Sequence, residues 1–337
     1  MKTRFRDSCS HLDAAGLAMK YSSISSPAPT IVSSGGRFSG NAIGLGASGD
    51  ANLRSVGLVI DSQQTWIARW ARYSTLTNTA ETIWRWQDAG SDQIDLRLTT
   101  LGKFTVTRNG TTLGTSTVGI AIATFHHIVF KVKIHSSIGT VDVVLDGVNI
   151  LSLTGQNTQA TGNATADRFL IQGASNGSQV CDISVADGTG AVAENLTIQT
   201  RIYCVVPNGD GATLNFTPST GTSHYALVDE IPSTADTDYN SSTAAGNIDL
   251  LDYTNLSLSG SALGVQVTTI ARVDDASSPT IAAVCKSGSA ANSIGTAFGV
   301  TSSYACYREL YDLDPNTSAA FTVSAIDSAK FGYKQVA

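Results

Sequence analysis

FHHIVFKVKIHSSIGTVDVVLDGVNILSLT, Phe125 to Thr154, holds two alternating strands followed by a hairpin. Ile128, Phe130, Val132 and Ile134 fall at every second position, so they share one face of a strand and bury it. Asp146-Gly147 lies between two alternating runs. Such a pair selects a type I′ turn, because Gly accepts positive φ and the turn's twist matches that of antiparallel strands. The stretch predicts a β-sandwich.

Working toward the N-terminus, Gln64 to Arg72, Thr82 to Gln87, Ile94 to Leu98 and Lys103 to Arg108 read as extended. Asn109-Gly110 closes a second hairpin against Thr111 to Thr115. A short helix is expected around Leu12 to Lys20. Toward the C-terminus, strands are expected at Arg168 to Gln172, at Val180 to Val185 and at Ile198 to Val206, which sets Ile198, Ile202, Cys204 and Val206 on one face. Pro207 and the turn Asn208-Gly209-Asp210-Gly211 place a domain boundary, dividing the chain into 1–206 and 207–337. The second part opens with a polar segment, Thr217 to Gly246, expected to be an extended clip across a neighbour. Alternation of Leu263, Val265, Val267 and Thr269, with runs at Thr280 to Lys286, Ser303 to Leu310 and Phe321 to Ile326, predicts a second, smaller β domain. The fold class is all-β.

Of the 337 residues 42 % are hydrophobic and only 14 % charged, against about 25 % charged in ordinary soluble domains. Solubility therefore rests on Ser, Thr, Asn and Gly. A net charge of −6 argues against nucleic acid as a partner, since phosphate binding needs clustered cations. Lys2, Arg4 and Arg6 form the one basic cluster and read as a solvated arm. No apolar run reaches the ~18 residues of a transmembrane helix, and no signal-peptide core precedes the first strand, so a soluble chain made without export or membrane insertion is expected. Five widely spaced cysteines without a Cys-x-x-Cys pair suit buried thiols in a reducing cytoplasm.

Few motifs carry chemistry. Gly44-Leu45-Gly46-Ala47-Ser48-Gly49 matches GxGxxG but lacks the following helix and the spaced acid of a dinucleotide site, so no cofactor is expected. Asp236-x-Asp238-x-Asn240 and Asp312-x-Asp314-x-Asn316 lack the Gly and Glu of a calcium loop and read as Asx turns, with no metal assigned. His126 and His127 point to opposite faces of one strand. No nucleophile elbow or zinc motif exists, and no catalytic residue is assigned. Trp66 and Trp70 share a face of one strand, and Trp84 and Trp86 a face of another, with Arg69 and Arg85 opposite them. The preferred reading is a sandwich core. The competing one makes Trp84 and Trp86 contacts for a glycan or a partner.

Trp66 to Thr154, with its strand before Asn109-Gly110, then FHHIVFKVKI and GTVDVVLDGVNILSLTG, resembles laminin-G/concanavalin A-like lectin domains as they occur in bacteriophage structural proteins. DISVADGTGAVAENL, RIYCVVPNGDGATLNFTPSTGTSHYALVDEIP, DTDYN and the opening DSCSHLDAAGLAMKY are also similar to parts of those proteins. The resemblance implies a jelly-roll sandwich plus a smaller β domain. It implies a non-enzymatic virion protein, assembled in the host bacterial cytoplasm and exposed as a tail appendage, fibre-associated protein or capsid decoration. Its partners are then other virion proteins and itself, as a homo-oligomer, with the arm and the polar segment as tethers. The alternative it allows is a glycan-binding module for a host-surface polysaccharide. The likeness carries over no functional residue.

Overall fold

The computed structural model describes residues 1–46, 54–74, 80–173, 177–190, 194–258 and 260–337. They fall into two compact units, Met1–Tyr203 and Cys204–Ala337.

In the first unit, β1 (Lys2–Asp7) and helix α1 (Ala14–Lys20) precede the short strands β2 (Ser23–Ile24), β3 (Thr30–Val32) and β4 (Ala42–Gly44). The long strands follow: β5 (Arg54–Gln63), β6 (Thr65–Tyr73), β7 (Glu81–Asp88), β8 (Ser91–Leu98), β9 (Lys103–Arg108) and β10 (Thr111–Gly119). Next come β11 (His126–Lys133), β12 (Gly139–Leu145), β13 (Val148–Gln156), β14 (Ala166–Gly173) and β15 (Gln179–Asp187). One sheet has the order β13-β12-β11-β6-β15-β4-β3, with β1 also on β15; the other runs β10-β9-β8-β7-β14-β5-β2. All pairings are antiparallel, and neighbours such as β6/β15 and β7/β14 are far apart in sequence, the crossed connectivity of a jelly roll. This is a concanavalin A-like sandwich, as the alternation at Phe125 to Thr154 predicts.

Both hairpins have the expected turns: φ is positive at Asn109 (44°) and Gly110 (78°), and at Asp146 (50°) and Gly147 (86°). Ile128, Phe130, Val132 and Ile134 are buried with Val141, Val143 and Leu145 on the inner face. β5 was not expected, although Val56, Leu58 and Ile60 alternate along it.

Several expectations fail, each for an identifiable reason. The basic N-terminus is not a solvated arm: Phe5 is buried in the core, and β1 pairs with β15 from Lys2↔Asp187 onward. Residues 198–206 form no strand; their backbone is taken by side chains instead, as where Ile202 N–H donates to Asp182 Oδ1 at 2.9 Å. Phe321 to Ile326 gives way to helix α2 (Val323–Ser328), capped by Thr322, whose hydroxyl accepts from Ala325 N–H. Phe321, Ala325, Ile326 and Ala329 then pack on one side at helical spacing.

The second unit contains β16 (Pro207–Leu214), β17 (Thr217–Pro218), β18 (Asn240–Ser241), β19 (Ile248–Tyr253), β20 (Val265–Ala271) and β21 (Thr280–Lys286). β22 (Ser293–Ile294), β23 (Phe298–Gly299), β24 (Ala305–Tyr311), α2 and β25 (Lys330–Gln335) complete it. Its main sheet has the order β16-β19-β25-β21-β22, beside the pair β20-β24. The polar segment after β16 is no extended clip. It folds back on its own unit, where Asp210 accepts from His224 and Tyr225 N–H, and Asp249 accepts from Asn215 and Phe216 N–H.

Candidate functional site

Trp84 and Trp86 do not contact a ligand from the surface, because both are fully buried, as are Trp66 and Trp70. Trp66 stacks on Trp86 with centroids 5.0 Å apart, and Trp70 on Trp84 at 4.7 Å, so β6 and β7 join the two sheets through indole pairs. Phe169 extends the stack beside Trp84. At roughly 200 Å² apiece, burial of each indole is worth about 5 kcal/mol before entropy. The apolar area of these rings serves cohesion.

That leaves the outward faces of the two sheets. On the first sheet, Ile67, Arg69, His127, Val129, Val144 and Ala186 point outward, in register across β6, β11, β12 and β15. The segment 194–203 lies over them. Leu196 packs against Ile67, Val129, Val144 and Ala186; Arg69 donates to Asn195 O at 3.1 Å; and Glu194 pairs with Lys131 at 2.8 Å. Thr200 N–H donates to His127 Nε2, and Gln199 donates to Asp146 O. Burial, with Arg37 and Arg69 nearby, pushes the His127 pKa down to about 4 and keeps it neutral.

The outward face of the second sheet is different in kind. Lys103, Thr105 and Thr107 alternate with the core residues Phe104 and Val106; Asp95 and Arg97 alternate with Leu96 and Leu98; Arg168, Leu170 and Gln172 alternate with Phe169 and Ile171. Register sets Thr107, Asp95, Arg85, Leu170 and Gly57 in one row across five strands. Arg85 stands at its centre. Its Nε and Nη2 donate to the two oxygens of Asp95 at 2.7 and 2.8 Å, and its Nη1 reaches Asp92 at 2.8 Å. These bonds hold the Arg85 pKa above its usual value despite burial.

Around this trio the face is unsatisfied. Among the described residues, Thr107 Oγ1, Gln172 Oε1 and Arg168 Nε are buried without a hydrogen-bond partner, as are Arg69 Nε and His127 Nδ1 under the 194–203 segment. Lys103, Arg97 and Arg168 are half-buried, and among the described residues their side chains have no ion pair or hydrogen bond. Leu170 and Val59 supply apolar surface beside Arg168. The opposition of Arg85 to Trp84 and Trp86 was readable in the sequence. Its meeting with Asp95, Arg97 and Arg168 was not, since β14 reaches β7 through a connection of some 80 residues.

Other titratable residues support turns. His126 Nδ1 meets Asp146 Oδ2 at 2.6 Å across the hairpin, and His135 Nδ1 accepts from Ser137 and Ile138 N–H. His224 Nδ1 lies 2.7 Å from Asp249 Oδ2 in the second unit. Asp314 forms the expected Asx turn with Asn316 N–H, whereas Asp236 accepts from Arg272 and Tyr304. Ala47, Ser48 and Gly49 of the glycine-rich match lie outside the described residues.

No family model matches the chain, and no curated protein does. Among solved structures, similar ones include the alginate lyase Aly36B, at 8 % identity, a TM-score of 0.40 and coverage of 56 % of this chain and 98 % of that one. Domain 4 of AbnA, a GH43 extracellular arabinanase from Geobacillus stearothermophilus solved with arabinotriose, is similar at 15 % identity and TM-score 0.39, covering 56 % and 93 %. The cellulose-induced protein Cip1 stands at 12 % identity and TM-score 0.39, covering 59 % and 99 %. The structure defines an all-β chain whose first unit is a two-sheet antiparallel sandwich.

Proposed function

We propose that the first unit is a non-enzymatic glycan-binding module that uses the outward face of the seven-stranded sheet. The observation that carries this is the set of half-buried side chains Lys103, Arg97 and Arg168, without an ion pair or hydrogen bond among the described residues and beside the apolar Leu170 and Val59, on a face whose counterpart on the other sheet is covered by the 194–203 segment. Sugar hydroxyls both donate and accept, and their C–H faces suit Leu170 and Val59. Arg85, locked by Asp92 and Asp95, gives the face a rigid polar centre. The supporting test is affinity electrophoresis of the full chain through gels containing bacterial and plant polysaccharides. Retention by at least one polymer, abolished by Leu170→Glu with Val59→Glu and kept by Gln199→Ala in the segment over the opposite sheet, is the expected result. Uniform migration in every gel overturns the reading.

A second reading keeps the virion role that the phage resemblance implies. It is favoured by an exposed stack in which the Arg201 guanidinium lies 4.0 Å from the Phe38 ring centroid and 4.1 Å from that of Tyr203, residue types enriched at protein interfaces. Its test is detection of the chain in purified particles, and loss of incorporation in Arg201→Ala.

A further inference from the structure

We propose that the ligand of the outward face is an acidic polysaccharide whose carboxylates engage Arg97 and Arg168; this rests on the glycan reading above. Arg168 stands opposite Gln87 on one side of β7, and Arg97 opposite Thr82 on the other, so with Arg85 between them they form a diagonal across three strands. Their backbones are roughly 15–20 Å apart, from two strand spacings and the rise along β7. One sugar ring does not bridge them, whereas a polymer of several residues does.

The charges on this face do not balance internally. Asp92 and Asp95 are both committed to Arg85, and Asp95 spends both oxygens on it. Lys103, Arg97 and Arg168 remain without counter-charge among the described residues, although they are half-buried. Holding a partly desolvated guanidinium with no acceptor is unfavourable unless something else supplies one. A planar guanidinium is the side chain best matched to a carboxylate, through two parallel N–H donors. The chain as a whole carries −6, so these cations on one face run against the overall charge.

The ligand class follows from combining the two kinds of open group. The cations call for an anion, while Leu170 and Val59 beside Arg168 call for apolar C–H surface between anionic points. A polyuronate has both at once. A nucleic acid also carries repeated anions, but no aromatic ring of this face offers a base a stacking platform, since its tryptophans point inward.

The test is isothermal titration of the full chain with polygalacturonate, dextran sulfate, neutral dextran and a single-stranded oligonucleotide at two salt concentrations. Polygalacturonate is expected to bind, more weakly at high salt, and to lose about tenfold in affinity in Arg97→Gln and in Arg168→Gln, on the scale of one charge-assisted bond. Lys2→Gln, with the same charge change on an exposed residue of β1, is expected to leave binding unchanged. Arg97→Lys is expected to fall between, and equal unfolding midpoints confirm that the variants fold. Dextran sulfate binding as tightly as polygalacturonate supports an anionic ligand with sulfate admitted; binding of polygalacturonate alone supports carboxylate recognition. If dextran binds as tightly as the acidic polymers and the arginine variants bind like wild type, the acidic assignment falls while the glycan reading stands. If no polysaccharide binds, both fall. Equal binding of the oligonucleotide with the same dependence on Arg97 and Arg168 overturns the polysaccharide assignment in favour of a general polyanion.

Discussion

Arg85 and Asp95, opposite each other on β7 and β8, are joined by two parallel bonds of 2.7 and 2.8 Å on the outward face of the seven-stranded sheet. Asp92 occupies the remaining guanidinium edge at 2.8 Å. A bidentate pair of this kind resists rotation, so the face keeps its shape without a ligand. Asp95→Ala is expected to lower stability by about 1.5–3 kcal/mol, the range for hydrogen bonds to charged groups. It is also expected to weaken polysaccharide retention by freeing Arg85. Urea denaturation and affinity electrophoresis of the same variant read the two effects separately.

The indole stack between the sheets makes a contrasting prediction. Trp84 is fully buried against Trp70 and Phe169, so Trp84→Ala should cost about 3–5 kcal/mol, with Trp84→Phe retaining part of the packing. Saturating polysaccharide should leave tryptophan fluorescence of the native chain at the same wavelength, because no indole lies at the proposed site. A ligand-induced emission shift that is lost in Trp84→Phe would return Trp84 to the surface role.

Gln93 is fully buried where the loop 157–165 returns to β14. Its Oε1 accepts from Ala160 and Thr161 N–H, while its Nε2 donates to Thr161, Asn163 and Thr165. Gln93→Ala removes these bonds at once and leaves two half-buried N–H groups without their acceptor. A loss of about 1–3 kcal/mol is expected, from about 0.5–1.5 kcal/mol for each of the two lost N–H bonds. Hydrogen exchange should show faster opening at Ala160 and Thr161 than at the strands around them.

Stability should fall on mild acidification. Burial, with Lys20 nearby, pushes the His11 pKa down to about 4; burial, with Arg37 and Arg69, does the same at His127. Both are below the unfolded value of about 6.5, so between pH 6.5 and 4 the unfolded chain binds more protons than the native one. The histidine contribution is therefore complete above about pH 6.5 and is lost as pH falls toward 4, by up to about 1.4 kcal/mol per pH unit for each group. At Asp7, burial alone raises the pKa, but Lys20 at 3.0 Å, His11 and the bonds from Cys9 N–H and Tyr21 lower it on balance. Its contribution is present above the normal carboxylate range and is lost only at still lower pH. Chemical denaturation of His127→Gln across this window should show a shallower loss of stability than wild type.

The outcome for individual stretches shows which physical signals reach the sequence. Asp146-Gly147 and Asn109-Gly110 were legible because positive φ is a local demand that few residues meet. The strands from β6 to β15 were legible because alternation at period two reports one buried face. Ile198 to Val206 alternates just as well, yet it forms no strand: its backbone groups are bonded by side chains such as Asp182 and His127. Phe321 to Ile326 reads as apolar enough for a strand, and Thr322 capping turned it into a helix.

What this sequence determined by itself is the all-β class, the two hairpin turns, the inward Trp pairs and the outward setting of Arg85, all consequences of period, turn chemistry and hydrophobicity along neighbouring residues. What only the tertiary structure decided is which sheet face stays open and which residues meet there. Register brings Thr107, Asp95, Arg85 and Leu170 into one row from strands well separated in sequence, and Leu196 closes the opposite face. Alternation tells each strand which side is in; it is silent on which strand lies beside it, because pairing is set by long-range closure of the sheet and by no local preference of the chain.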